Sequence, residues 1–154
     1  MGEEVTMKIV VFQLKGKNYG VELQYIRSIE KVREIRELPQ TPVFFRGIIN
    51  MRGEIISIID LAEYFNLGKI SFSEENFVII TQHDDLVVGL MVDVATDVLD
   101  IDSSLINETP SIITEKYIEG ILNLEDKMIV MLNLPAILER DEIMKAKDLS
   151  ELAN

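Results

Sequence analysis

Apolar residues in this chain mostly alternate with polar ones or run in short β-branched blocks. Such patterns predict strands rather than helices. Lys8–Leu14 and Tyr19–Leu23 read as strands about a turn at Gly16-Lys17-Asn18. Phe77–Thr81 and Leu86–Val94 repeat that arrangement about Gln82–Asp85, and Val98–Ile101 reads as an extension of the second strand. Ile121–Leu124 and Met128–Leu132 predict a hairpin around Glu125-Asp126-Lys127. Ile26, Ile29, Val32 and Ile35 recur every third residue, which fits helix, yet β-branched residues also favour strand. Pro39 and Pro42 bracket a loop, Ser71–Asn76 reads as a polar linker, and Asp102–Pro110 reads as a second loop. Helix is expected in three places. Asp60 is placed to cap Leu61–Asn66, which should stop at Gly68. Pro135–Leu138 opens a last helical segment, and 139–154 has the spacing of an amphipathic C-terminal helix. Residues 1–7 read as a loose tail.

The densest signal lies at Gly47–Leu61, GIINMRGEIISIIDL. Two β-branched runs flank a turn at Arg52-Gly53, which predicts a hairpin. A glycine there accepts a positive φ at little cost. Arg52 therefore offers one cation on a rigid β platform, although a lone turn arginine is more often simply solvated.

The same stretch recurs. Gly47–Leu61 aligns without a gap to Gly120–Leu134, GILNLEDKMIVMLNL, and the upstream strands from Val11 and Val78 align loosely. Two copies, over 8–68 and 76–138, of a roughly 60-residue β unit imply two small barrels sharing an apolar seam. Arg52-Gly53 gives way to Asp126-Lys127 near the same turn of the second copy, so the cation is not needed twice.

Composition narrows the chemistry. There is no cysteine among the 154 residues, so disulfides and thiolate metal sites are excluded. His83 is the only histidine and is expected to be exposed in a turn; no nucleophile–base pair or phosphate-cradling glycine loop can be assembled. The methionines sit inside apolar runs and read as core. An enzyme is not expected, and neither is a cofactor or metal. The N-terminus lacks a signal-peptide pattern, and no apolar run approaches the ~18 residues of a membrane span, so the expected location is the cytoplasm. The net charge of −12 disfavours nucleic acid and anionic membrane. Charge is uneven: Arg27–Arg52 carries six bases against three acids, whereas Asp84–Asp126 carries eleven acids against Lys116 alone. Unlike faces suit head-to-tail association with a related domain.

The motif in Gly47–Leu61, with Tyr19-Gly20-Val21 and the Thr41-Pro42 loop upstream, resembles the CheW family of bacterial chemotaxis coupling proteins. Val88-Gly89-Leu90-Met91-Val92-Asp93 followed by Asp97-Val98-Leu99 is similar to a second family segment. Gly120-Ile121 and Leu132–Leu138 are similar to the closing one. The resemblance covers about 8–140, taken as one CheW-like domain.

That resemblance implies an all-β fold of two SH3-like five-stranded β-barrel subdomains with short helices. It implies a non-catalytic adaptor linking the cytoplasmic signalling tip of chemoreceptors to the regulatory domain of the histidine kinase CheA, recruited to receptor arrays at the inner membrane face. The tip would pack between the barrels, and one barrel would pair with a barrel of the kinase. Ile26, Gly47, Arg52, Gly89, Ala95 and Val98 match positions associated with receptor or kinase contact. Ser28 stands where many members have Glu, and Ser57 where many have Pro. The alternative is an excised regulatory domain of a CheA-type kinase; the acidic start at Met1–Thr6 and the end after Leu152 favour the stand-alone scaffold.

Overall fold

A computed structural model describes residues 6–110, 115–140 and 143. The strands are β1 (Thr6–Leu14), β2 (Lys17–Glu22), β3 (Ile26–Lys31), β4 (Phe45–Met51), β5 (Glu54–Asp60), β6 (Phe77–His83), β7 (Leu86–Val92), β8 (Val94–Asp102), β9 (Ile106–Asn107), β10 (Ile118–Leu124) and β11 (Lys127–Leu132). Helices α1 (Leu61–Tyr64) and α2 (Leu134–Leu138) follow β5 and β11. Each is capped by the side chain before it. Asp60 accepts from the Glu63 N–H and Asn133 from the Ala136 N–H.

The strands form two sheets, ordered β8-β1-β2-β11-β10-β9 and β3-β6-β7-β5-β4. Each sheet curls until its two edge strands, β8 and β9 in the first and β3 and β4 in the second, come together. In the first, the chain leaving β8 turns over Ser103–Leu105 and returns as β9, where Asn107 pairs with Ile121 of β10. In the second, the chain leaving β3 returns at Arg36, which exchanges two 2.8 Å backbone hydrogen bonds with Ile48 of β4. Counting β9 as the return of β8, both are five-stranded barrels.

Neither barrel is built from one sequence copy. The first joins the β1–β2 hairpin of copy one to β10–β11 of copy two, through the parallel pair β2–β11. The second joins β4–β5 of copy one to β6–β7 of copy two, through the parallel pair β5–β7. Gly20 faces Met131 in one parallel ladder and Gly89 faces Ile58 in the other. A Cβ on Gly20 would lie 2.9 Å from Met131 Sδ, and one on Gly89 would lie 2.5 Å from Ile58 Cδ1 and 2.9 Å from Val78 Cγ1, so the packing is tight at both glycines and tighter at Gly89.

The exchange creates the seam. On β1, Ile9 and Val11 join Leu122, Ile129 and Met131 inside the first barrel. The alternate residues, Val10, Phe12 and Leu14, join the larger cluster that fills the second barrel and reaches both helices. β1 is thus buried on both faces, which is why its sequence is an almost continuous apolar run. Aromatic rings cross the same seam: Phe12 on Tyr19, Tyr19 on Phe65, and Phe65 stacked on Tyr117 at 4.9 Å.

Several local expectations are revised. Ile26–Lys31 is strand, because pairing with β6 outweighs the three-residue spacing. β8 does not extend β7: the chain breaks direction at Asp93 and enters the other barrel. The 102–110 loop contains β9, β1 begins at Thr6, and the first turn is Lys15-Gly16. The 71–76 linker ends in Asn76, which is buried and fully engaged. Met128 is 59% exposed rather than core. The expected tail at 1–5 and C-terminal helix lie outside the described residues, apart from 139–140 and the buried Ile143.

Candidate protein-interaction surfaces

Arg52 occupies the β4–β5 turn with φ 55°, followed by Gly53 at φ 87°. Two consecutive positive φ values are those of the tight hairpin turn whose twist suits antiparallel strands. Asn or Gly normally fills the first position; an arginine there is a local strain of about 1–2 kcal/mol. The turn is secured by Asn50 Oδ1, which accepts from the Gly53 N–H at 3.0 Å. The Arg52 side chain is exposed and forms no hydrogen bond or ion pair among the described residues. Its neighbour Glu54 pairs with Arg27 of β3 at 2.9 Å.

Beside this turn the second barrel opens into a cavity. Ile48, Ile49, Met51, Ile55 and Val78 supply apolar walls, and Lys31, Arg33 and Arg36 line it together with Glu30 and Glu34. Gly47 sits close by with φ 140°, and a methyl group there would collide with the Arg36 carbonyl and Ile35. Gly47 is buried and serves barrel closure. Gly120 does the same in the first barrel, where a Cβ would lie 2.6 Å from the Asn107 carbonyl oxygen. Gly89 is likewise buried, beneath Ile58. Neither Gly47 nor Gly89 offers a side chain to a partner; each shapes the backbone around it.

Ala95 and Val98 lie elsewhere, on β8 of the first barrel. They line a shallow groove with Val10 and Asp97, and its opposite wall is Ile29 of β3 and Phe77 of β6, from the second barrel. Val98 is 56% exposed there. Ile29 and Phe77 carry no motif, and only the β3–β6 pairing brings them opposite β8. Ile26, half-buried, starts β3, and the register with β6 shifts between it and Ser28, whose hydroxyl oxygen is shielded and has no hydrogen-bond partner among the described residues. Ser57 is fully buried in β5. Four of the six positions thus fall into two settings: Gly47 and Arg52 at the basic end of the second barrel, and Ala95 and Val98 in the inter-barrel groove. Ile26 lies on the strand between them, and Gly89 lies inside the second barrel.

The charge separation follows the barrels only in part, since Asp84 and Asp85 lie in the β6–β7 turn of the second. Arg27, Lys31, Arg33, Arg36 and Arg52 stand on the second barrel, whereas Asp97, Asp100, Asp102, Glu125 and Asp126 stand on the first. Arg46 drops out of the basic face, being 6% exposed and paired with Asp60. Near β10, partial burial first and then repulsion from Glu22 raise the Glu119 carboxyl above the ordinary glutamate value. Burial, with Glu22 and Glu119 adding, raises the Tyr25 hydroxyl.

His83 is not an open turn residue. It ends β6, packs edge-on to the Tyr25 ring, and has Nε2 3.4 Å from Glu139 Oε1. Among the described residues no three His, Cys, Asp or Glu side chains gather as a metal site.

Comparison with known proteins agrees with this architecture. The CheW-like domain model matches residues 8–142. The chemotaxis protein CheW of Bacillus subtilis is 30% identical over 142 residues, covering 90% of this chain and 91% of that one. The chemotaxis protein CheW of Klebsiella aerogenes is 28% identical, covering 92% and 87%. The crystal structure of the scaffolding protein TtCheW from Thermoanaerobacter tengcongensis superposes with a TM-score of 0.80 at 36% identity, covering 90% of this chain and 96% of that one. Twin barrels exchanged between two sequence copies, the Gly47–Leu61 hairpin and a family match over most of the chain lead to one conclusion: this protein belongs to the CheW-like domain family.

Proposed function

We propose that the protein is a non-catalytic chemotaxis scaffold that couples chemoreceptors to the histidine kinase CheA. The observation that carries this reading is the inter-barrel groove, where Val98 is left exposed between walls from two different barrels. A helical receptor tip laid there would gain affinity from packing and register from Asp97 at the edge. The basic end of the second barrel, with Arg52 at its turn, is the docking face for the kinase regulatory domain. The acidic first barrel suits a complementary contact in a head-to-tail assembly. Work of this kind is done by surfaces: the buried polar groups Arg46, Asp60, Asn76 and Thr81 all hydrogen-bond within the fold. Among the described residues no helix is long and apolar enough to cross a membrane, so membrane placement would come from the receptors.

The test is titration of the purified protein with a CheA regulatory domain and, separately, with a receptor signalling-tip hairpin. Both should bind together without competing. Kinase-domain binding should weaken as salt rises from low to moderate ionic strength. Failure to bind either partner, or mutual exclusion, would overturn the reading.

A further inference from the structure

The two barrels meet where the chain passes from β7 to β8 through the single residue Asp93. A one-residue crossing between two bodies would be a hinge if left free. Here each of its hydrogen-bonding groups is taken. The Asp93 N–H donates to the Gln13 carbonyl at 3.1 Å. Its carboxylate Oδ2 accepts from the Lys15 N–H at 2.6 Å, and its carbonyl accepts from Asn76 Nδ2 at 3.1 Å. Gln13 and Lys15 belong to the end of β1 and its turn, in the first barrel. Asn76 belongs to the strap entering β6, in the second.

Both anchors are themselves held. Asn76 is 5% exposed; its Oδ1 accepts from the Ser73 N–H, and its carbonyl accepts from the Val32 N–H just beyond β3. Lys15 adopts φ 51°, a conformation unfavourable for lysine. The Asp93 bond fixes its backbone, and its ammonium donates to the Lys69 carbonyl at 2.6 Å on the other barrel's strap. The clamp stands at the mouth of the groove: Ala95 is two residues beyond Asp93, and Phe77 directly follows Asn76.

We infer that Asp93 is a positioning residue: by tying β1 and the 69–76 strap to the β7–β8 crossing, it sets the angle between the barrels and so the width of the groove between Val98 and Phe77. The inference rests on the groove being the receptor site only for its consequence, not for its geometry. A groove held at one width spares an incoming helix the ordering of two loosely joined bodies.

The geometry is tested without a partner. The chain has no cysteine, so spin labels can be placed at Asp85→Cys in the β6–β7 turn and Asp126→Cys in the β10–β11 turn, one on each barrel. The parent should give a single narrow inter-label distance. Asp93→Ala should broaden or shift it, and Asp93→Asn, which keeps an oxygen for the Lys15 N–H, should restore it. Asn76→Ala opens the clamp from the other barrel and gives the same broadening should the first variant not fold. A distance unchanged in a folded Asp93→Ala or Asn76→Ala protein overturns the inference. In the binding arm, Asp93→Ala should weaken a receptor-tip hairpin about tenfold while changing kinase-domain affinity less than about twofold. A parent protein that ignores the tip, combined with a broadened variant, sinks the receptor reading and leaves the clamp standing.

Discussion

Arg46 Nη1 lies 3.0 Å from Asp60 Oδ2, with both side chains withdrawn from solvent. The same Asp60 oxygen accepts from the Ile70 N–H, its other oxygen caps α1, and Arg46 also reaches the Ile70 carbonyl. The exposed ring of Phe72 covers the guanidinium at 4.3 Å. One ion pair thereby joins β4, β5, α1 and the strap. In the second copy the aligned residues are Glu119 and Asn133. There the cap survives as an amide and the buried charge pair is gone.

Breaking the pair from one side strands a charge. Arg46→Ala should lower stability by about 3–5 kcal/mol, measured by urea unfolding. The double variant Arg46→Met, Asp60→Asn should recover much of that loss, because Asn133 shows that an asparagine caps the equivalent helix. A double variant as weak as the single one would mean that the charges hold the strap by themselves.

Glu119 provides a pH test. Its folded pKa is raised above the ordinary glutamate value, so the folded state holds the proton more tightly than the unfolded chain does. Its contribution is favourable at low pH and is lost as pH rises through the folded value. Glu119→Gln should therefore raise the thermal midpoint at pH 7, and the gain should shrink towards pH 4. The residue is largely open to solvent, so the effect should be small. A gain that is larger at pH 4 would contradict the assignment.

Barrel closure depends on missing side chains. Gly47→Ala should cost about 3 kcal/mol or more, since it adds strain at a positive φ to a collision with the Arg36 backbone. Gly120→Ala meets the collision alone and should cost less. Hydrogen exchange should speed at Arg36 and Ile48 in the first variant and near Asn107 in the second.

Arg52 separates stability from function. Arg52→Asn puts a tolerant residue at φ 55° and should leave folding stability, read by urea unfolding, unchanged or raise it by about 1 kcal/mol at most. The same variant should weaken kinase-domain binding. Loss of folding would make Arg52 structural after all.

Val98 probes the groove. Val98→Glu places a charge on an exposed site, so its stability should shift by no more than about 0.5 kcal/mol. Affinity for a receptor-tip hairpin should fall about tenfold or more, because apolar packing there is replaced by a charge that must be desolvated. An unchanged affinity would remove the groove from the interface.

Local signals were legible wherever the physics is local. The strand expected over Lys8–Leu14 is β1, the Arg52-Gly53 turn closes its hairpin, and Asp60 caps its helix. The three-residue spacing of Ile26–Ile35 left helix and strand open, because β3 is decided by β6, almost fifty residues away in sequence. His83 reads as a turn residue in sequence, yet it is held by Tyr25 and Glu139, whose proximity no short-range pattern encodes. Arg46 is one of the six bases of 27–52, yet it is buried and paired with Asp60.

The amino-acid order by itself determined the strands, the hairpin turns, the helix caps, the duplication and the absence of thiol chemistry. These follow from backbone preference, periodicity and composition, which act over a few residues. Only the tertiary structure decided that each barrel takes a hairpin from each copy, that Ile29 and Phe77 face Val98, and that Asp93 is gripped from both sides. Those facts depend on which strands pair, and pairing is chosen by burying the whole seam at once, a free energy to which no single segment holds the key.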